Sequence, residues 1–600
     1  MLKKIILPTI LLVLAYGFWI SPDFKEIAAG VAIFLFGMLF LEDGFKAFTG
    51  GVLEKLLQKT TNKTWKSLLF GVVSTSIMQS SSLVSVITIS FISAGLVTLV
   101  AGIGIIFGAN IGTTTGAWLV AAFGLKVKIS AYAMPMLVFG IVLSFQKSRY
   151  LKGAGAVLAG LGFLFLGIHH MKEGFEAFKD SFDLASLAVG GYPGLFLFAA
   201  IGAAATVVMQ SSHATLVLIL TALAASQITY ENGLALAIGA NVGTTITAII
   251  GSLSANIQGR RLAGAHLIFN VVTGVVAIVF INQFIWAVDT VSSSVGIAGD
   301  NYTMKLAVFH TLFNLVGVLL MVPLIHRLSD FLVKSLPEKE KDIAEPLYLS
   351  EAAIEFPETV LRALKKEVWH LFDSAFEIMA HGINLHRRQI LNSEDLEKTI
   401  DEDREVHEFD LDELYESKVK VLYSAIVDFI SNSQAHMPSV FSEEMFRLRK
   451  AAGEIVECVK HIKHLRKNAT RYMLSDNEHI RNEYNQLRYQ ISMILREIYR
   501  LRGDEDFDHA LALLEMDELK AEIQSAHAEL DARVTGILRD DRITPTMATS
   551  LLNDFNYVDE TSRHLLDTAQ ALLVSHSDLV AEAAREVVLD EDEIEKASAA

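Results

Sequence analysis

The 600-residue chain holds a single cysteine, Cys458, so an internal disulfide framework is excluded. One thiol in the second half fits a reducing compartment, and its simplest role is that of a small buried hydrophobe. Carboxylates are missing over long reaches: no Asp or Glu occurs between Glu54 and Glu173, or between Asp183 and Glu231. That excludes a titrating membrane carboxylate of the kind proton-coupled carriers use from both stretches. Basic excess is lacking as well, with a formal net charge of −17. Duplex affinity comes largely from Lys and Arg neutralising phosphates, so nucleic acid is not an expected partner. No nucleophile with its base, zinc-ligand spacing or phosphate-cradling loop appears, and the chain is not expected to be an enzyme.

Apolar residues are abundant instead, at 52%, with a mean hydropathy of +0.39. This is too apolar for a soluble protein and too long for one compact domain. Up to position 335 there are 20 Lys/Arg against 13 Asp/Glu, and beyond it 31 against 55. The shift divides the chain near Pro337 into 1–335 and 336–600. Eight apolar segments approach the ~20 residues a bilayer crossing requires, at about 5–20, 27–41, 99–123, 130–146, 154–171, 233–253, 264–288 and 305–327. The first follows a Lys pair but lacks a small-x-small cleavage site, and is read as a short first transmembrane helix rather than a signal peptide.

Two further segments, 67–95 and 194–226, carry the polar stretches MQSSSLVSV and MQSSHATLV. Each is longer than one crossing and too short for two, which predicts a re-entrant hairpin of half-length helices with a polar tip. GMLFLEDGFKAF from Gly37 matches GIHHMKEGFEAF from Gly167, Gln79-Ser80-Ser81 matches Gln210-Ser211-Ser212, and GANIGTT from Gly108 matches GANVGTT from Gly239. Three motifs in one order at an offset of 130 or 131 mark a duplication, with copies at about 27–123 and 154–253. If the hairpins do not cross, an odd number of crossings separates the copies. Inverted repeats then follow, a secondary-transporter arrangement.

A half-helix beginning at such a tip offers free backbone N–H groups and the positive end of its dipole, beside neutral Gln and Ser donors. Gln79, Ser80, Ser81, Ser82, Gln210, Ser211 and Ser212 are therefore the candidate contacts to a small anion. The GAN motifs add glycine-loosened backbone with Asn110, Thr113, Thr114, Asn241, Thr244 and Thr245, donors suited to a hard monovalent cation. With carboxylates absent, sodium coupling is expected over proton coupling, and no cofactor or other metal is implied. His213 replaces a third Ser in the second tip and is read as a hydrogen-bonded residue lining the site. His266 with Asn270, and His310 with Asn314, each share a helix face and are expected to hydrogen-bond between helices. His169 and His170 point to different faces and make a poor metal pair.

The paired QSS and GAN-[IV]-GTT motifs resemble the type II sodium/phosphate cotransporter family over roughly residues 27–327. The resemblance implies inorganic phosphate as the anion and Na+ as the coupling ion, held by Gln79 to Ser82 and Gln210 to Ser212. It also implies a multi-pass protein of the bacterial inner membrane, with the lipid bilayer as surroundings. Beyond residue 350, Leu361, Leu364, Val368, Leu371, Phe372, Ala375, Phe376 and Met379 form a helical core stripe, and similar stripes continue into the 570s. This region resembles a PhoU-type bundle, cytoplasmic and regulatory. IDEDREVHEFD, Ile400 to Asp410, resembles its acidic helix and is read as a solvated face. A homo-oligomer or a protein partner at the bundle fits this reading, and the tail VLDEDEIEKASAA is expected to fray. The expected class is all-α: a polytopic transporter of two inverted repeats, about eight transmembrane helices and two re-entrant hairpins, followed by a soluble bundle. A phosphate-responsive signalling protein and a carrier or exporter of another oxyanion are the alternatives.

Overall fold

The computed structural model describes residues 2–49, 63–124, 129–181, 190–337, 344–503 and 509–573, apart from 254, 351–353, 355–356, 408, 436 and 438. Its regular structure is helical, with no strand among the described residues. The chain divides into two compact units, Met1–Glu338 and Lys339–Ala600. The acidic tail lies outside the described residues.

The first unit opens with α1 (Leu2–Ile20) and α2 (Pro22–Thr49), then α3 (Thr64–Met78), α4 (Ser81–Ser93), α5 (Leu99–Gly112), α6 (Thr114–Leu119) and α7 (Ile129–Ser144). The second copy follows as α8 (Arg149–Ser181), α9 (Gly191–Met209), α10 (Ser212–Ala224) and α11 (Tyr230–Ser252). Helices α12 (Ile257–Val279), α13 (Ile281–Ser294), α14 (Tyr302–Met321) and α15 (Ile325–Ser335) complete it. Glycines at seven-residue spacing let α2 and α8 touch backbone to backbone. A Cβ on Gly37 would lie 2.6 Å from Leu164 N, and one on Gly167 2.6 Å from Gly30 O. Any larger residue there would force the pair apart.

Both copies fold alike. Gln79 has φ 53° and Gln210 φ 52°, each followed by an extended serine that caps the next helix. Within a copy, the arm before the tip runs parallel to the helix after it: Gly104 packs at Ser67 and Gly112 at Thr75, as Gly239 does at Ala199 and Gly243 at Ala203. The helix between must run the other way, so the chain reverses at each Gln. A Thr206–Thr215 hydroxyl bond of 2.9 Å joins the second pair of arms.

Direction also relates the copies. Along α4, Ser82 bonds Thr247, Val86 meets Gly251, and the Ser93 carbonyl accepts from Asn256. Helix α4 thus runs with the end of α11 and against α5. The equivalent helices α5 and α11 are antiparallel, the relation expected of inverted repeats.

Among the described residues, seven helices are long and apolar enough to cross a bilayer: Pro22–Phe45, Leu99–Ala122, Tyr150–Ala177, Gly191–Met209, Tyr230–Ser252, Ile257–Val279 and Tyr302–Ser335. They differ from the eight expected segments at particular places. Segment 130–146 is described as the sixteen residues of α7, which carry Pro135 and are fewer than the length counted as a crossing among the described residues. Segment 264–288 is cut at Phe280, which separates α12 from α13. Gly191–Met209, expected as a half-length arm, has nineteen residues and qualifies by length. Leu39, Phe196 and Leu319 stand exposed along these helices, at 58%, 55% and 66%. Apolar area of that extent is stable only against lipid, and the unit is a multi-pass membrane protein.

The second unit comprises α16 (Pro357–Gly382), α17 (Arg387–Asn392), α18 (Leu396–Glu402), α19 (Leu411–Leu414), α20 (Val421–Gln434), α21 (Ser439–Met473), α22 (Glu478–Gly503), α23 (His509–Arg539) and α24 (Pro545–Leu573). The expected stripe is its core, with Leu364, Val368, Leu371, Phe372, Ala375, Phe376 and Met379 buried and Leu361 half-buried. Cys458 is fully buried, and burial pushes its thiol well above the usual range. Ile400–Asp410 is not one acidic helix: α18 ends at Glu402, and Asp410 caps α19 by accepting from Asp412 and Glu413 N–H. Arg488 is buried beneath this segment and donates to the Ile383, Asn384 and Ile400 carbonyls and to Asn485 Oδ1. Burial depresses its guanidinium to about 10, while Asp403 and Asp401 oppose the shift.

Candidate functional site

At each tip, a helix ends on a left-handed Gln and another begins on a serine. Ser80 Oγ accepts from Leu83 N–H at 3.2 Å, and Ser211 Oγ from Ala214 N–H at 3.1 Å. These caps leave the backbone N–H groups of Ser81, Ser82, Ser212 and His213 without partners among the described residues. The result is an anion-favouring helix start beside the cation-favouring carbonyl end of the preceding arm. A non-Gly residue at positive φ is costly, and strain of that kind gathers at ligand-holding sites.

The two tips converge on α6. A Cβ on Gly116 would lie 1.7 Å from His213 Cε1 and 2.8 Å from Gln79 Oε1, so the second tip's imidazole and the first tip's amide both press on that glycine. His213 is buried and stacks on Phe34, ring centroids 5.8 Å apart. Position 247 is the repeat equivalent of 116, and position 82 that of 213. There Thr247 Oγ1 donates to Ser82 Oγ at 3.2 Å. Each tip therefore reaches the same place on the other copy, once as Ser against Thr and once as His against Gly. The bulk lost at Gly116 makes room for His213, which accounts for the departure of the second motif from the first.

The glutamines differ in engagement. Gln79 Nε2 donates to Ser76 O at 2.5 Å and to Thr115 Oγ1 at 3.0 Å. The equivalent of Thr115 is Ile246, which cannot accept. Gln210 is exposed and its amide has no partner among the described residues.

The GAN motifs are not unwound. Helix α11 runs through Asn241, Thr244 and Thr245 without interruption, and α5 passes to α6 at Thr113 with helical torsions, φ −58° and ψ −26°. Close packing of the motif glycines explains this: a Cβ on Gly108 would lie 2.0 Å from Leu68 O, and one on Gly239 1.8 Å from Ala199 O. The glycines serve helix approach and do not free carbonyls. Thr113, Thr114, Thr244 and Thr245 each donate to a carbonyl three or four residues earlier in the chain.

The asparagines of the two copies part company. Asn241 is held across helices, donating to Asn314 Oδ1 at 3.0 Å and accepting from His310 Nε2 at 3.1 Å. This is the expected interhelical role for HTLFN. HLIFN does not share it: Asn270 Nδ2 turns back to His266 O, and Asn110 Nδ2 to Ile106 O. At the far end of α8, His169 and His170 diverge as expected, but His170 Nδ1 meets Glu26 Oε1 at 2.5 Å across α2. Ligand atoms of Glu26, His170 and Glu173 lie within 4.8 Å of one another, a grouping that sequence spacing alone could not expose.

Residues 33–173 and 195–299 match the family described as Na+/Pi-cotransporter. YjbB of Escherichia coli (strain K12), which its name assigns to inorganic phosphate export, is 25% identical over 364 residues, 60% of this chain and 64% of that protein. The Salmonella typhimurium protein of the same name is 26% identical over 363 residues, again 60% and 64%. YqeW of Bacillus subtilis (strain 168) is 29% identical over 299 residues, 49% of this chain and 92% of YqeW. The chain thus spans less than two thirds of the YjbB proteins. No solved structure matches it. The two antiparallel copies and their serine-capped tips thus lie in the part of the chain, residues 33–173 and 195–299, that is similar to the Na+/Pi-cotransporter family.

Proposed function

We propose that the chain carries inorganic phosphate across the bacterial inner membrane, coupled to Na+, by alternating access of its two inverted copies. One observation carries this reading: both tips, each a helix start with unpartnered N–H groups, converge on Gly116 from opposite copies. Phosphate is held by Gln79, Ser80, Ser81 and Ser82 of one tip and Gln210, Ser211 and Ser212 of the other, with the tips re-entering rather than crossing. The anion's charge is met by backbone N–H groups and two helix dipoles instead of Lys or Arg. Na+ is held among neutral oxygens at the GAN motif of the first copy, around Asn110, Thr113 and Thr114, and its binding favours the phosphate-competent state. Movement of one copy against the other about this shared point exposes it to either side in turn.

The second unit is read as a cytoplasmic, PhoU-like regulatory domain. Its all-helical build and buried lone thiol support this. Labelled-phosphate uptake into proteoliposomes tests the transport reading. Uptake should require Na+ outside and collapse when choline replaces it; equal uptake in choline under an imposed proton gradient would remove the coupling. The YjbB name favours a second reading, net export. Efflux from phosphate-loaded vesicles that exceeds uptake under matched gradients would favour it.

A further inference from the structure

The two histidine–asparagine motifs are chemically alike but differ in satisfaction. In HTLFN, Asn314 Oδ1 receives the Asn241 amide, and His310 Nε2 donates to Asn241 Oδ1. In HLIFN, Asn270 Oδ1 is buried without a partner in a residue that is 0% exposed; Nδ1 of His266 has none either, but neither has Nδ1 of His310, so the difference lies at the asparagine. An unpaired buried acceptor costs ~1–3 kcal/mol, and a native interior rarely leaves one without an occupant.

The helix beside HLIFN supplies a third acceptor. Helices α5 and α12 pack side by side, with Gly102 at Leu262 and Phe107 stacked on Phe269 at 4.5 Å. That register brings Asn110 to the level of Asn270, as Asn241 stands to Asn314 in the other half. Asn110 is buried, and because its Nδ2 is spent on Ile106 O, its Oδ1 accepts from nothing among the described residues. No carboxylate lies on either helix, and the basic group on α12 nearest the motif, Arg261, is turned to Leu336 O at 2.7 Å. Two unpartnered amide oxygens beside an unpartnered imidazole nitrogen suit a hard monovalent cation.

We infer that Asn110 and Asn270 provide amide-oxygen ligands for a Na+ ion between α5 and α12, and that His266 Nδ1 accepts from a water carried with it. The equivalent place between α11 and α14 is closed by Asn241 and takes no ion. This site rests on the Na+-coupling reading and narrows it: of the two GAN asparagines, Asn110 is a ligand and Asn241 a helix clasp.

The test uses full-length purified protein, with NaCl against choline chloride at equal ionic strength. Wild type should melt at a higher temperature in Na+. Asn270→Leu removes the unpartnered Oδ1 and loses only the Nδ2 bond to a carbonyl of its own helix, so it should melt in choline about as high as wild type, yet gain nothing from Na+. Its Na+ requirement for half-maximal phosphate uptake should rise about tenfold or more. Asn314→Leu should melt lower in both salts and keep its Na+ response. If Asn270→Leu does not fold, the cation site is overturned unless Asn110→Ala folds and loses the Na+ response. An undiminished Na+ response in folded Asn270→Leu and Asn110→Ala overturns the site while coupling survives. A wild type with no Na+ shift in melting and Na+-independent uptake overturns both.

Discussion

The two tips share a backbone and differ in their surroundings. Gln79 and Gln210 have nearly the same torsions, and Ser80 and Ser211 cap in the same way. Around them, Thr115 becomes Ile246, Thr247 becomes Gly116, and Ser82 becomes His213. The first amide is clamped and the second is free; one cross-copy contact is a hydroxyl pair, the other a ring in a glycine notch. Duplication therefore preserved what generates the helix starts and released what surrounds them. On the proposed reading, the helix starts are the part that an anion would need in both copies.

The largest effect that could break this comparison is loss of both glutamines. Gln79→Ala with Gln210→Ala should abolish phosphate uptake while folded protein still reaches the membrane, a combination read by uptake and by size-exclusion profile together. Singly, each substitution removes a bond to a charged ligand worth ~1.5–3 kcal/mol, roughly ten- to a hundred-fold in affinity. Gln210→Ala should leave melting unchanged because its amide is free. Gln79→Ala should lower it slightly as well, because Ser76 O and Thr115 lose a donor.

Exchanging the cross-copy pairs sharpens it next. Gly116→Thr drives a side chain into His213 and should cost ~1–3 kcal/mol by overpacking, with uptake lost. Adding His213→Ser rebuilds the Ser–Thr pair of the other half and should restore both melting temperature and uptake. No recovery in the double variant would mean that the His–Gly notch serves something other than fit.

In the second unit, Arg488→Leu should lower stability by several kcal/mol at most, since it strips the donor from three buried carbonyls. Chemical denaturation of full-length protein, followed by the second unit's resistance to proteolysis, reads this. A smaller effect comes from pH. Burial lowers His381 and His461 below the ordinary 6.5, against the raising pull of Glu377 and Glu560. A depressed base binds its proton less readily folded than unfolded. Its contribution is therefore complete above about pH 6.5 and is lost as pH falls below it. Melting should drop on acidification through that window, and His461→Gln should flatten the drop.

The duplication, the tips and the helical second half were legible because polar residues in apolar runs and three- and four-residue stripes leave periodic marks. That the chain turns on Gln79 itself, through its left-handed torsions, was not legible, because the sequence marks only a polar tip. The GAN motifs misled: their glycines looked like loosened backbone, but they are needed for approach to Leu68 and Ala199, which no local pattern reveals. The break at Phe280 was hidden because both sides of it are apolar. The different fates of Asn241 and Asn110 were hidden too, since they depend on which helix lies opposite.

The most direct measure of a shared site is the number of phosphates bound per chain, by titration calorimetry of full-length protein in Na+. One phosphate should bind per chain, and Gln79→Ala and Gln210→Ala should each weaken that single event. Two phosphates per chain, with each variant leaving one site at full strength, would contradict it: the tips would then be two separate sites rather than halves of one.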